Sequence, residues 1–334
     1  MKSLVLFSND LRLNDNEAIC SAIDGFNETS FIFLYDEDLY SSTHGSANLW
    51  WLEKSLKSLK IRLQDEGICL HIVKGEYVSK IVEIASKNEV QSVFLNENKH
   101  PNFIIKEQQL RKELERINIQ FKSFNNTNLS EPASILNKSG EPYKVYSPFY
   151  KHCKSIYSQN KVFNFPTKQI NTFNINEDSI NTEEIFPNSK NKWSDKLNKY
   201  WKPGEIEAHK ALKKFFNDSL SNYKEGRDYL GTVGTSRLSP YLRFGEITSN
   251  QIISEFQFHA DHNLNKHEEH FIKELYWREF SYYILFHFPY VIDKPFNRKY
   301  DNFEWNKNYD SSLKIAAFSR SHSGFQLPCK EVCP

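Results

Sequence analysis

The polarity pattern divides the chain into an alternating front part and a helical rear. Short β-like apolar runs at Leu4 to Phe7, Phe31 to Tyr35, Cys69 to Val73, Val90 to Leu95 and Ile119 to Phe124 are separated by longer amphipathic stretches. Between the second and third runs, Leu49, Leu52, Leu56, Leu59 and Leu63 recur every three or four residues, which places them on one helical face. Further helical periodicity near 76–87 and 104–116 extends the alternation into repeated strand–helix–strand units. Such units bury their apolar faces most economically as a parallel sheet covered by helices.

The pattern predicts an α/β chain whose N-terminal domain, residues 1–125, is a Rossmann-like parallel sheet. The turn after the first run, Ser8-Asn9-Asp10-Leu11-Arg12, lacks a Gly-x-Gly-x-x-Gly fingerprint, so no standard NAD site is expected there. Arg12 and Asp15 suit either a structural charge pair around that turn or one wall of a cleft for an aromatic ligand. Residues 126–202 read as a long connector, because Asn, Ser, Lys and Pro interrupt short apolar pieces and Pro142, Pro148, Pro166 and Pro187 forbid one continuous helix. Within it, Val145 to Ile156 can pack against either neighbour. Helical periodicity at Ile206 to Leu220 and Phe271 to Phe286 makes residues 203–334 an all-helical domain.

Two stretches in that domain carry candidate chemistry. In the first, Gly226, Gly231 and Gly234 permit close backbone approach, while Thr235, Ser236 and Arg237 offer hydroxyls, amides and a positive charge compatible with a phosphate. Ser239 before Pro240 has the form of an N-cap and first helical residue, and Thr248 with Gln251 that of a capping box. Loop and cap chemistry without a ligand explains the same residues. In the second, Glu274, Trp277 and Arg278 lie three and four residues apart on a helix, where a flat ring and a guanidinium suit a base and a phosphate. A core Trp beside a Glu274–Arg278 helix pair is the equally simple alternative.

Composition narrows the partners. The 43 Lys and Arg balance 42 Asp and Glu, so any nucleic-acid surface must be local. The 26 Phe, 17 Tyr and 6 Trp suit a protein that holds aromatic rings without establishing one. His259, His262, His267 and His270 lack the paired Cys or acidic ligands that fix a metal site, and no metal is assigned. Five scattered cysteines are expected to be reduced thiols. No secretory leader or run of roughly 20 apolar residues is visible, so the expectation is a protein that is cytoplasmic or otherwise soluble and intracellular, with no organelle assigned and no membrane partner.

Three segments resemble the DNA photolyase and cryptochrome family. They are Gly234-Thr-Ser-Arg-Leu-Ser-Pro-Tyr-Leu-Arg-Phe-Gly-Glu-Ile247, Glu274-Leu-Tyr-Trp-Arg-Glu-Phe280 and the opening Leu6-Phe-Ser-Asn-Asp-Leu-Arg-Leu-Asn-Asp-Asn16, where Leu6 and Ser8 replace the family's Trp and Arg. The resemblance implies FAD in the helical domain, bound through Tyr223, Thr235, Ser236, Arg237, Leu238, Ser239, Phe271, Glu274 and Arg278. Phe271 stands where the family often has Trp. The resemblance further implies that Glu274, Trp277 and Arg278 meet DNA containing a flipped pyrimidine dimer, and that Trp305 ends an electron-transfer chain to the flavin. An antenna chromophore, methenyltetrahydrofolate or a deazaflavin, is implied for the N-terminal domain, where Asn96-Glu97 is the available cue.

The family's activity is light-dependent repair of cyclobutane pyrimidine dimers by electron transfer from reduced FAD. After Phe318 the sequence departs from the family, so the helical FAD-binding domain is expected to be incomplete, with weak FAD binding and impaired repair unless a complementary C-terminal fragment is supplied; the completed protein is expected to be a monomer. A cryptochrome-type blue-light receptor and an inactive α/β scaffold are the alternative readings.

Overall fold

The computed structural model describes residues 1–304 apart from 126–127, 158–161, 176, 178, 186–191 and 260–263. Five parallel strands, β1 (Lys2–Phe7), β2 (Glu28–Tyr35), β3 (Leu70–Lys74), β4 (Ser92–Asn96) and β5 (Gln120–Phe124), form one sheet in the order β3-β2-β1-β4-β5. Val5 sits centrally, paired in register with Phe31 on β2 and Phe94 on β4. Apolar side chains on both faces of these central strands are buried, as expected where helices cover both sides of a parallel sheet.

The crossovers are α1 (Glu17–Gly25), α2 (Glu37–Thr43), α3 (Ser46–Asp65), α4 (Tyr77–Lys87) and α5 (Pro101–Arg116). Asn16, Asp36 and Glu76 cap α1, α2 and α4 by accepting backbone N–H groups of the first turn. All five predicted strands are present, with edges shifted by a few residues. Val90 is a turn residue rather than strand: Glu89 adopts φ 55° and the Val90 amide returns to the Ala85 carbonyl, so β4 begins at Ser92. Helix α5 starts at Pro101, ahead of the expected position, because His100 caps it and proline fits the first helical site.

The connector is less loose than its composition suggests. It contains α6 (Tyr146–Ile156), α7 (Thr182–Ile185) and α8 (Lys192–Tyr200). Its polar middle is fastened to the sheet domain through the backbone: the Thr29 amide donates to the Asn171 carbonyl at 2.9 Å and the Ile180 amide to the Ile72 carbonyl at 2.8 Å. Phe173 and Ile175 are buried.

The helical part comprises α9 (Glu205–Asp218), α10 (Tyr223–Gly226), α11 (Ser239–Arg243), α12 (Ser249–His259) and α13 (Lys266–His287). Helix α13 opens with a reciprocal capping box between Asn265 and Glu268. The expected Thr248–Gln251 box is formed, with both bonds at 2.9 Å. Ser239 is not a side-chain cap: Leu238 occupies that position, leaving the Ser239 hydroxyl available to the cavity described below. Among the described residues no helix is long and apolar enough to cross a membrane.

The two parts meet along a polar seam. Arg12 is fully buried; its Nε and Nη2 donate to the Asp15 carbonyl and its Nη1 to the Gly245 carbonyl. The Leu11 amide donates to the Phe244 carbonyl at 3.1 Å, and the Thr248 hydroxyl to the Asp15 carboxylate at 2.6 Å. Glu205 accepts the amides of Leu13 and Asn14, and Glu246 accepts the Trp51 indole and the Ser55 hydroxyl. The structural reading of Arg12 therefore holds, through carbonyls more than through a simple charge pair.

Candidate functional site

The site grows from one face of α13. Phe271, Glu274, Leu275, Arg278 and Tyr282 follow helical spacing, and together they wall a cavity of about 410 Å³. Tyr223, Ser236, Ser239, Leu242 and Arg243 close it from α10, the glycine-rich loop and α11. Two separate sequence signals, the glycine and serine stretch and the Glu-Leu-Tyr-Trp-Arg segment, thus converge on one concave surface.

Behind the cavity lies an aromatic packing cluster. Phe271 is buried against Phe215 and meets Tyr223 edge to face, with centroids 5.2 Å apart. Burial raises the Tyr223 hydroxyl above its ordinary value. Gly234 has a specific steric role: a β-carbon there would lie 2.1 Å from the Gly226 carbonyl oxygen, so the two glycines are packed backbone against backbone.

The charges are arranged differently from the i,i+4 expectation. Glu274 pairs with Arg227 at the end of α10, not with Arg278. Arg278 instead binds the Glu279 carboxylate at 3.1 Å and the Leu242 carbonyl at 3.2 Å, and lies 4.8 Å from the Tyr282 ring. Glu279 is buried and also accepts the Leu129 amide and the Asn128 side chain across the seam. Burial pushes its carboxyl up, against the opposing pull of Arg278. Arg243 has no hydrogen-bond or ion-pair acceptor among the described residues, although it lines the cavity.

Of the predicted cofactor residues, Tyr223, Ser236, Ser239, Phe271, Glu274 and Arg278 line the cavity. Thr235, Arg237 and Leu238 contribute no side chain to its wall. Leu238 is buried in the core, and Arg237, at φ 55°, places its guanidinium 4.2 Å from the Trp201 ring. Trp277 does not line the cavity; it lies on the same helix, 45% exposed, with one face against Tyr146. Trp305 and His262 lie outside the described residues. No group of three or more potential metal ligands occurs among the residues described.

Sequence reasoning did not single out Leu242, Arg243, Leu275 or Tyr282. Tyr282 and Leu275 were signalled by their helical spacing from Arg278 and Phe271. A second crevice of about 230 Å³ lies beyond the ends of β4 and β5, where Glu97, Lys99, Glu107 and Arg111 converge. Glu107 accepts the Asn98 amide, and burial pushes its carboxyl up to about 8. The side-chain nitrogen of Asn96, part of the antenna cue, donates to Asp10 and Asn16 in the interior, whereas Glu97 faces the crevice and binds Lys99.

A Rossmann-like sheet locked to a helical unit with a cationic, hydroxyl-lined, aromatic-backed cavity defines a two-domain protein suited to a nucleotide cofactor. Residues 3–168 match the DNA photolyase family model and residues 271–327 the model of the FAD binding domain of DNA photolyase. The chain is 29% identical to a deoxyribodipyrimidine photo-lyase of Agrobacterium fabrum, over 97% of this chain and 67% of that protein. It is 26% identical to cryptochrome-1 of Arabidopsis thaliana, over 97% of this chain and 48% of that one. A bacterial class III photolyase from Agrobacterium tumefaciens superposes with a TM-score of 0.87 at 28% identity, covering 97% of this chain and 66% of that structure. The chain belongs to the DNA photolyase and cryptochrome family, and it spans about half to two thirds of the length of these relatives.

FAD is the cofactor that goes with this domain. The donor set fits it in part: two serine hydroxyls and two guanidiniums, one without an acceptor among the described residues, suit phosphate oxygens, while Tyr223 and Phe271 supply aromatic backing.

Proposed function

We propose that this chain performs light-dependent repair of pyrimidine dimers in DNA. The observation that carries the reading is the grouping on one turn of α13 of cavity residues Glu274 and Arg278 with a half-exposed ring, Trp277, between them in sequence. Reduced flavin, when bound, would under light lend the dimer an electron that lets its two ring bonds break and then returns to the flavin, so that the repair is redox-neutral overall. The chain's own residues position the reactants. Arg243, Arg278, Ser236 and Ser239 hold the anionic part of the cofactor, and Thr235, Arg237 and Leu238 shape the loop that presents Ser236. Trp277 replaces base stacking lost when the dimer is extruded, and Glu274 orients it by accepting a base N–H.

Trp305 as a route for electrons, an antenna chromophore in the crevice beside Glu107, and a monomeric working form with a complementary C-terminal segment belong to the same proposal. The test illuminates reduced, FAD-loaded protein with dimer-containing DNA and counts restored pyrimidines against a dark control. Restoration above the control, with or without the added segment, supports repair. Light-dependent flavin reduction without restoration in either case favours the cryptochrome-like alternative, a reading supported by similarity to plant cryptochromes over 97–98% of the chain.

A further inference from the structure

Trp277 does not stand alone on the surface of α13. Tyr146, the first residue of α6, lies flat on one of its faces, with ring centroids 3.6 Å apart and planes 8° from parallel. The Tyr146 hydroxyl donates to the Lys273 carbonyl at 2.9 Å, one helical turn before Trp277, so the covering ring is tied to the same helix that carries the covered one. Phe280 meets both rings edge to face, at 5.9 Å from Tyr146 and 6.0 Å from Trp277. Tyr150 extends the layer, stacked beside Tyr146 at 5.8 Å. Helix α6 is itself held down by Phe149, which packs on Phe280 and Tyr283 of α13.

An exposed Trp on a helix surface ordinarily samples several rotamers, and a ligand must then arrest that motion. Here the stack, the tyrosine hydroxyl and Phe280 fix the ring plane in the absence of ligand. We propose that Tyr146 is a positioning residue: it holds Trp277 in one orientation and occupies one of its faces, leaving a single preset face for a base. This inference rests on the reading of Trp277 as a stacking group, and it adds a residue from the connector to the DNA site.

The test uses the full 334-residue chain and two probes, oligothymidylate irradiated to contain dimers and the same oligonucleotide unirradiated. Tyr146→Leu should lower the preference for the irradiated probe about fivefold, while Tyr146→Phe, which keeps the stack, should retain at least half of it. FAD affinity should be unchanged in both, since Tyr146 does not line the cavity. In a Trp277→Ala background, which should itself cost about tenfold, Tyr146→Leu should have no further effect. Should Tyr146→Leu lose the fold, Tyr146→Met, whose longer, flexible side chain can reach further across the gap but likewise lacks the ring plane, carries the same comparison.

An unchanged preference in a folded Tyr146→Leu or Tyr146→Met protein, with Trp277→Ala still impaired, overturns the positioning role alone. Additive losses in the double variant overturn it too. A parallel fall in FAD affinity assigns Tyr146 to general packing. If Trp277→Ala retains the full preference, or the parent chain shows none either alone or with the complementary C-terminal segment added, the stacking reading itself fails, and the positioning role with it.

Discussion

Gly245 offers a sharp test of whether the seam holds the two parts together. Its φ of 63° lies in the left-handed region, and a β-carbon there would stand 2.1 Å from the Asn9 carbonyl oxygen and 2.7 Å from the Asp10 α-carbon. Both obstacles are backbone, so Gly245→Ala cannot be relieved by a side-chain rotation. The left-handed conformation alone costs an alanine about 1 kcal/mol. The clash adds separation of the two surfaces, which disrupts the Leu11–Phe244 hydrogen bond and the charged bond from Arg12 to the Gly245 carbonyl. Those losses are about 1 and 2 kcal/mol, for a total near 4 kcal/mol. Gly67→Ala is the matched control, since Gly67 has φ 74° but nothing within 4 Å of the added carbon, and it should lose only about 1 kcal/mol. Urea unfolding followed by far-ultraviolet circular dichroism and by fluorescence, to which Trp51 at the seam contributes, measures both. Gly245→Ala should show the larger loss and a fluorescence transition that precedes the dichroism change. Equal losses in the two variants would refute the steric argument.

Three other substitutions probe the charges. Glu246 keeps its proton up to about 8 when folded, against an ordinary value of 4.5, so the folded state binds more protons across that window and stability falls as pH rises through it; Glu246→Gln should remove about 1.4 kcal/mol of that loss per pH unit, read from urea midpoints at pH 5 to 8, and an unchanged slope would contradict it. Glu107, also raised to about 8, should contribute a second, separable decrement of the same sign, which Glu107→Gln abolishes in the same titration. Arg243→Gln should weaken FAD binding about tenfold with little change in urea midpoint, because the guanidinium has no acceptor to lose among the described residues; flavin retention after removal of free ligand reports it, and unchanged retention would place Arg243 outside the phosphate site.

The parts legible in sequence are those whose signal is local. Continuous apolar runs such as Leu4 to Phe7 reveal strands buried on both faces, and the spacing from Phe271 to Phe286 reveals the helix that bears the site. The crossover α1 was not individually marked, because its four buried residues occupy a helix of only nine. The connector hid its attachment because the Thr29–Asn171 bond is made by backbone, which side-chain composition does not report. Nor does sequence spacing bring Arg12 to Gly245, or Tyr146 to Trp277: both contacts are created by tertiary packing across more than a hundred residues. The Glu274–Arg278 pair illustrates the converse, where a plausible local partner is displaced by Arg227, the residue that follows α10.

The middle of α13 serves three neighbours within six residues: Glu274 and Arg278 face the cavity, Trp277 lies on Tyr146, and Glu279 accepts groups across the seam. Each residue added to a helix turns everything beyond it by about 100° and advances it about 1.5 Å. A one-residue insertion between Glu274 and Trp277 would therefore swing the ring off its tyrosine and the Glu279 carboxylate away from Leu129 at once, whatever residue was inserted. An insertion at Leu230, exposed in the loop after α10, shifts none of these phases. Length changes should thus be tolerated in that loop and excluded from the centre of the helix, even where substitutions in the helix are accepted.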